Sequence, residues 1–197
     1  STARRATRRT HAPRDAHMRH ERELRLAGFH SIAGIDEVGR GSLAGPVVAA
    51  AVILPDRHRI KGLRDSKVLS RARREALYQL ILDRADAVGV GCMEVEVIDR
   101  INILQATKLA MREALGDLAV RPDILLLDAV TIESLEMPQI PIIEGDNRSM
   151  SIAASSSVAK VCRALRMEPY DGLYPASDCN HTRGHATEGH QPALRRN

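Results

Sequence analysis

Apolar and polar positions along the chain fall into two kinds of segment, short aliphatic runs and longer stretches with helical spacing. The aliphatic runs are bounded by glycine, proline or acidic residues and have the length of strands. They predict five strands, at about 31–36, 47–54, 86–95, 123–128 and 138–143. The run at 47–54 contains no polar residue, which is typical of a strand buried on both faces.

The segments between these runs predict helices. Apolar residues recur three and four positions apart at about 70–83 and 99–118, a short polar helix is predicted at 18–29, and another helix at 151–167. Ser70 and Asp99 are the predicted N-caps of the second and third helices, and Ser151 opens the last. Strands and helices that alternate in this way predict a mixed α/β domain, with a central sheet flanked by helices.

Three acids stand at predicted strand ends. Asp36 and Glu37 close the first aliphatic run, and Asp128 closes the fourth. Ligands of such sheets bind beyond the carboxyl ends of strands, so the three carboxylates are expected to converge there. Their repulsion calls for cations, and ligands that offer only oxygen select Mg²⁺ or Mn²⁺ over zinc. Two such ions about 4 Å apart can activate a water and stabilise a leaving oxygen, which favours phosphodiester hydrolysis.

A glycine-rich turn follows the first two acids. Gly39, Gly41 and Gly45 let the backbone approach an anion, and the intervening arginine adds a bidentate phosphate donor. A dinucleotide site is less favoured, because the spacing is G-x-G-x-x-x-G and the acids would repel a pyrophosphate. A P-loop is equally disfavoured, since Pro46 stands where its lysine belongs. The plain structural alternative is an exposed acidic turn followed by a glycine-rich connection.

Composition narrows the kinds of partner. Of the 197 residues, 44% are apolar but only 2% are aromatic, so the core is aliphatic and base-stacking platforms are excluded. Any contact with nucleic acid must then rest on its backbone. The net charge of +4 is unevenly placed, since residues 1–25 carry +5 and the remainder −1. Residues 1–17 are predicted to be a disordered basic arm, with nonspecific attraction for phosphate as a secondary role.

The positions of cysteine and histidine bear on the cellular compartment and on whether the chain binds zinc. The three cysteines have unrelated spacings and form no disulfide framework, which favours a reducing cytoplasm. No apolar stretch reaches the roughly 20 residues that span a bilayer, so no membrane association is expected. A zinc hypothesis arises from Cys179, His181, His185 and His190. Their spacing matches no standard zinc finger, and a divergent loop is favoured.

Several motifs, in one order, resemble those of the ribonuclease HII family, the type 2 ribonucleases H of bacteria. The longest is GIDEVGRGSLAGP at 34–46, which resembles the family signature. Further blocks follow: DSKVLS at 65–70, INILQAT at 101–107, AM at 110–111, LD at 127–128, GD at 145–146, SIAA at 151–154 and AKV at 159–161. The resemblance covers about residues 20–175.

The resemblance implies a ribonuclease H-like fold and endonucleolytic cutting of RNA in RNA–DNA hybrids, including single ribonucleotides in duplex DNA. It implies two divalent ions, Mn²⁺ or Mg²⁺, held by catalytic residues Asp36, Glu37 and Asp128. The backbone at the ribonucleotide would be held, and its 2′-hydroxyl sensed, by Gly39, Arg40 and Gly41. Weaker candidates for substrate contact are Ser66, Lys67, Lys160 and His185, the last in place of a family tyrosine. A monomer in the cytoplasm is expected.

Ala164 is the main departure from the family pattern, which carries an acid at this position after Ala-Lys-Val. Loss of a metal ligand is expected to lower the rate by orders of magnitude. Asp146 and Glu168 are not expected to replace it, because metal ligands tolerate only small positional errors.

Two hypotheses follow from this departure. The first is a ribonuclease of reduced activity, and the alternative is a catalytically inactive protein of the same fold that binds RNA–DNA hybrids. Residues 18–175 form the predicted catalytic domain in both cases. Residues 176–197 form a divergent C-terminal segment.

Overall fold

A single five-stranded sheet organises the part of the chain that the computed structural model describes, which is residues 18–41, 45–56, 60–63 and 69–167. The strands are β1 (Ile32–Val38), β2 (Val47–Ile53), β3 (Ala87–Met93), β4 (Ile124–Asp128) and β5 (Gln139–Ile142). Their order across the sheet is β3-β2-β1-β4-β5. The pairs β1–β2 and β2–β3 are antiparallel, whereas β1–β4 and β4–β5 are parallel. The predicted mixed sheet is therefore confirmed.

Helices cover both faces of this sheet. They are α1 (Arg19–Leu26), α2 (Arg71–Arg84), α3 (Val95–Ile101), α4 (Ile103–Gly116), α5 (Gly145–Arg148) and α6 (Met150–Met167). On one face α6 packs against β1 and β2 with α2 beside it, and on the other α4 packs against β2 and β3. Within the described residues, no helix combines the length and the apolar character that crossing a bilayer requires.

Most predicted elements are confirmed to within one or two residues. All seven residues of β2 are buried, as its lack of polar residues predicted. Ser70 is the N-cap of α2, and its side chain accepts a hydrogen bond from the backbone N–H of Arg73. The last helix begins one residue before Ser151, because the hydroxyl of Ser149 accepts from the N–H of Ile152.

The prediction of one helix over 99–118, capped by Asp99, is wrong. The chain forms two helices there, separated at Asn102, which has a φ of 69°. Few residues other than glycine adopt this conformation, and asparagine does so because its short amide bonds locally. The side-chain oxygen of Asn102 accepts from the N–H groups of Leu104 and Gln105 at 3.0 and 3.1 Å. Asn102 is therefore the N-cap of α4.

Glycine brings α6 unusually close to the sheet. A Cβ on Gly34 of β1 would lie 2.1 Å from the carbonyl carbon of Ser151, so no larger residue fits. The hydroxyl of Ser155 donates to the carbonyl oxygen of Gly34 at 2.6 Å. Because side chains two residues apart share a strand face, Asp36 also points toward α6. The close contact therefore sets the helix directly over the first predicted acid.

Candidate active site

Parallel pairing of β1 with β4 brings two of the predicted acids together. Ile35 is paired with Leu127, so the next residues of the two strands, Asp36 and Asp128, lie side by side. Glu37 follows in β1. The structure thus places all three acids at one edge of the sheet, where their strands end.

Asp36 is the most buried of these acids, with 7% of its surface exposed. Burial, together with the nearby charges of Glu37 and Asp128, raises the pKa of its carboxyl to about 7. The polar side chain of Ser156 opposes this shift. Oδ1 also accepts from the N–H of Glu37 at 2.8 Å. Asp36 is thus held in place by donors while its charge is disfavoured.

Glu37 is also largely buried, and burial raises the pKa of its carboxyl. Arg40 opposes that shift, since its Nη1 lies 3.3 Å from Glu37 Oε1. The second oxygen, Oε2, is buried and has no hydrogen-bond partner among the described residues. A buried carboxylate oxygen without a donor is costly, and a cation would satisfy it.

Asp128 is held by a backbone N–H group of the segment that follows β5. Its Oδ1 accepts from the backbone N–H of Gly145 at 3.1 Å. A Cβ on Gly145 would lie 2.6 Å from Ile152 Cδ1, so the start of α5 packs closely against α6. Asp146 is the next residue along the chain, one position from this contact with Asp128.

Strand direction makes Asp146 a candidate fourth acid. β5 pairs in parallel with β4, and Asp128 is opposite Ile142. The carboxyl ends of parallel neighbours meet at one sheet edge, so an acid soon after β5 also reaches that edge. Strand direction, rather than helix position, identifies this residue.

The acids suit a hard divalent cation in chemistry and placement. All of their donor atoms are oxygen, and Glu37 has the unpartnered Oε2 described above. Within the described ranges, no three acidic, histidine or cysteine side chains lie close enough together to hold a metal ion as they stand. The charge of Asp128 nevertheless raises the pKa of both Asp36 and Glu37, so the three share one electrostatic environment.

The glycine turn after β1 is fastened by α6. Gly39 has a φ of 108°, and a Cβ there would lie 2.5 Å from the carbonyl oxygen of Pro46. Arg163 Nε donates to that same oxygen at 3.0 Å. Around Gly41, by contrast, a Cβ would meet nothing within 4 Å. The turn is therefore closely packed at Gly39, whereas Gly41 has free space around it.

Of the remaining predicted site residues, Lys160 lies in the described part of the chain and the others lie outside it. Lys160 is half-buried on α6, and its Nζ donates to Ser156 Oγ at 2.8 Å. Predicted residues outside the described part of the chain are Ser66, Lys67 and His185, together with Glu168 and the zinc candidates Cys179, His181 and His190.

Ala164 lies away from the acids. Along α6, Ser155 meets Gly34 and Arg163 meets the start of the glycine turn, so position 164 is level with that turn. It is about 12 Å along the helix axis from Ser156. Ala164 is exposed and lines a cavity of about 290 Å³ with Arg71, Arg74 and Glu75 of α2. This placement does not support the expectation that Ala164 deprives the acids of a fourth member.

Ala164→Asp is accordingly expected to change the cleavage rate by less than about twofold. The new carboxylate would share a cavity with Arg71 and Arg74 but also with Glu75, so its effect on stability is small, within about 1 kcal/mol. Thermal unfolding and a cleavage assay on the purified variant measure both. A large gain in rate would return position 164 to the active site.

Comparison with known sequences places the chain among ribonucleases. The family profile described as ribonuclease HII matches residues 33–197. Ribonuclease HII of Listeria monocytogenes serotype 4a (strain HCC23) is 51% identical over 175 residues, which is 89% of this chain and 67% of that protein. Ribonuclease HII of Bacillus subtilis (strain 168) is also 51% identical over 175 residues, 89% of this chain and 68% of its own. The chain thus spans about two thirds of the length of these relatives.

Solved structures agree on the fold. Ribonuclease H2 from Pyrococcus horikoshii OT3 superposes with a TM-score of 0.66 at 23% identity, over 76% of this chain and 83% of that chain. The ribonuclease HII in the PCNA complex from Archaeoglobus fulgidus gives 0.60 at 26%, over 84% and 85%. Bst-RNase HIII in complex with Mn²⁺ gives 0.57 at 17%, over 84% and 69%.

The predicted ribonuclease H-like fold and the sequence resemblance are both confirmed by these matches. The fold rests on the superposed structures, and the family rests on the profile and on the relatives at half identity. The chain belongs to the ribonuclease HII family, whose members are endonucleases that cut the RNA strand of RNA–DNA hybrids.

Proposed function

We propose that this chain cuts RNA–DNA hybrids and single ribonucleotides in duplex DNA with divalent cations held by Asp36, Glu37, Asp128 and Asp146. The observation that carries the proposal is the buried pair of acids in β1, one of whose oxygens has no hydrogen-bond partner among the described residues. Buried carboxylates that repel one another lower stability, and proteins keep them where function needs them. Mn²⁺ and Mg²⁺ are the cations that such an oxygen-only set favours.

Backbone donors prepare the acids for this role. The N–H of Glu37 holds Asp36, and the N–H of Gly145 holds Asp128, each through one carboxylate oxygen. These bonds fix the orientation of the two carboxylates for a cation. When bound, divalent cations supply Lewis-acid stabilisation of the charge that develops on the scissile phosphodiester. The related Bst-RNase HIII has been solved with Mn²⁺, which supports this choice of ion.

The glycine turn is proposed to recognise the ribonucleotide. Gly39 follows the acids by two residues, and it packs against the carbonyl oxygen of Pro46, to which Arg163 donates. A rigid turn with little side-chain bulk lets backbone groups approach a 2′-hydroxyl, the group that distinguishes RNA from DNA. Arg40 is partly exposed and pairs with Glu37, so its guanidinium is close to the site and available to a phosphate.

Asp146→Asn tests whether the fourth acid belongs to the site. We expect cleavage of a duplex with one ribonucleotide, in Mn²⁺, to fall by about 100-fold or more, as for loss of a catalytic group. Asp123→Asn is the matched control. Its carboxylate accepts from the N–H groups of His30 and Ser31 before β1, at the opposite end of the sheet. Equal rates for Asp146→Asn and the parent chain would remove Asp146 from the proposal.

The hybrid-binding alternative rests on the missing acid at position 164. We favour cleavage over it, because Ala164 lines a cavity beside α2. We further propose that the chain acts as a monomer in the cytoplasm, as the sequence predicted. Light scattering of the protein with and without a ribonucleotide-containing duplex tests the oligomeric state, and a stable dimer would contradict it.

A further inference from the structure

An arginine of α6, Arg163, contacts both ends of the glycine turn. Its Nε donates to the carbonyl oxygen of Pro46 at 3.0 Å. A Cβ on Gly39, at the start of the turn, would lie 3.0 Å from the same nitrogen. A Cβ on Gly45, at the end of the turn, would lie 3.2 Å from Arg163 Nη2. One guanidinium group therefore packs against both ends of the turn.

This contact lies just beyond the point where β1 and β2 separate. The two strands pair as far as Val38 and Val48, and Pro46 lies two residues outside that last pair. Gly39 and Gly45 have φ angles of 108° and 100°, which residues with a side chain rarely adopt. The hydrogen bond from Arg163 to Pro46 therefore holds the turn in a region that the pairing of β1 with β2 does not reach.

The guanidinium group suits this place better than an ammonium group would. It is planar, always charged and presents five N–H donors in a fixed fork, whereas the ammonium of lysine is a single point of charge. Arg163 is partly buried, and Met167 follows it by four residues on the same face of α6. Both side chains pack against Gly45, since a Cβ there would also lie 2.6 Å from Met167 Sδ.

We propose that Arg163 is a positioning residue that fixes the glycine turn and thereby determines how strongly the protein selects a ribonucleotide over a deoxyribonucleotide. The inference rests on the proposed function, in which backbone groups of this turn approach the 2′-hydroxyl. Asp36 and Asp128 are held by other groups, the backbone N–H groups of Glu37 and Gly145. Loss of Arg163 should therefore weaken recognition of the ribonucleotide and leave metal binding intact.

The test measures kcat/KM on a DNA duplex with one ribonucleotide, and the inhibition constant of an all-DNA duplex in the same assay. Arg163→Met is expected to lower kcat/KM by about 10–100-fold, because small displacements of a positioning element cost this much. The inhibition constant should be unchanged, since the all-DNA duplex has no 2′-hydroxyl to recognise. Mn²⁺ affinity, measured by titration calorimetry, should also be unchanged.

Arg166→Met is the matched control on the same helix. Arg166 carries the same charge, but its Nη1 pairs with Glu94 Oε1 at 2.7 Å. This variant should keep the kcat/KM of the parent chain, so it separates loss of charge on α6 from loss of the contact with the turn. Arg163→Lys keeps the charge without the fork and is expected to recover only part of kcat/KM.

Gly45→Ala disturbs the same contact from the side of the turn. Its methyl would lie 2.6 Å from Met167 Sδ and 3.2 Å from Arg163 Nη2, at a φ that alanine rarely adopts. We expect it to reproduce the selective loss of kcat/KM. It tests the inference even if Arg163→Met fails to fold, which circular dichroism reveals.

Three outcomes overturn the inference. If Arg163→Met weakens binding of the ribonucleotide-containing and all-DNA duplexes equally, Arg163 attracts phosphate without selecting the sugar. If Arg163→Met leaves kcat/KM unchanged, the contact has no role in recognition. If Arg163→Lys matches the parent chain, charge alone is sufficient and the contact with both ends of the turn is not needed. A parent chain that cuts no ribonucleotide-containing duplex would instead contradict the proposed function itself.

Discussion

Asp36→Asn is expected to abolish cleavage and, in the absence of metal, to make the protein more stable above about pH 7. Cleavage falls because the amide cannot replace the charge of a central carboxylate, and losses of about 10³-fold or more accompany removal of such groups. Stability rises because the substitution removes a buried charge that lies next to two others. Opposite effects on activity and stability are the signature of a functional site.

The pH dependence follows from the direction of the pKa shift. Burial raises the pKa of Asp36 from 3.8 to about 7, so between these values the folded state binds a proton that the unfolded state has lost. The free energy of unfolding of the parent chain therefore falls as pH rises from 3.8 to about 7. Above about pH 7 the buried charge of Asp36 has its full destabilising effect. The asparagine variant lacks this contribution, so its advantage is absent near pH 4 and reaches a few kcal/mol at pH 8.

Thermal unfolding in a chelator at pH 4.5 and pH 8, beside the cleavage assay, measures both effects. Asp123→Asn is a control in which stability should change in the opposite direction. Backbone N–H groups of Ser31 and His30 lower the pKa of that carboxyl, so its charge is favoured in the folded state. That variant should lose stability at pH 8 and keep its cleavage rate. Normal turnover by Asp36→Asn, or a lower melting temperature at pH 8, would show that the active centre has been misplaced.

Gly34→Ala is expected to destabilise the protein by about 3 kcal/mol or more, at the upper end of overpacking costs. The added methyl would lie 2.1 Å from the carbonyl carbon of Ser151 and 2.4 Å from the backbone nitrogen of Ile152. These are backbone atoms of α6, so the whole helix must move away from β1. That movement separates Ser156 from Asp36, and cleavage should fall as well.

Denaturant unfolding of Gly34→Ala gives the free energy, with Gly116→Ala as its control. Gly116 ends α4, and a Cβ there would meet nothing within 4 Å. The control should be neutral or more stable by about 0.4–1 kcal/mol, because alanine restricts the unfolded chain. If Gly34→Ala is as stable as Gly116→Ala, the close packing of α6 on β1 is wrong.

Much of the fold was predictable because its signals are local. An uninterrupted aliphatic run such as β2 has one stable place, in the middle of a sheet. Asp36 and Asp128 could be expected to meet because parallel strands end at the same edge. The break at Asn102 escaped prediction, since apolar spacing continues through it and only the backbone and side-chain bonds of one residue end the helix.

The rest of the candidate site depends on which strands pair, in which direction they run and how the helices pack on them. The sequence alone does not show this. Asp146 becomes a candidate only through the parallel pairing of β5 with β4. Ala164 shows the reverse case, because a motif identified the position while its surroundings, a cavity beside α2, depend on helix packing.

The central claim is that the acids at this sheet edge form a working nuclease site although position 164 carries no acid. The most direct test is single-turnover cleavage, by the unaltered chain, of a DNA duplex containing one ribonucleotide, with Mn²⁺ and with chelator. Binding to the same duplex is measured in parallel. We predict one cut at the ribonucleotide, which disappears with chelator and does not occur in an all-DNA duplex. A duplex that is bound in Mn²⁺ but stays intact would contradict the account.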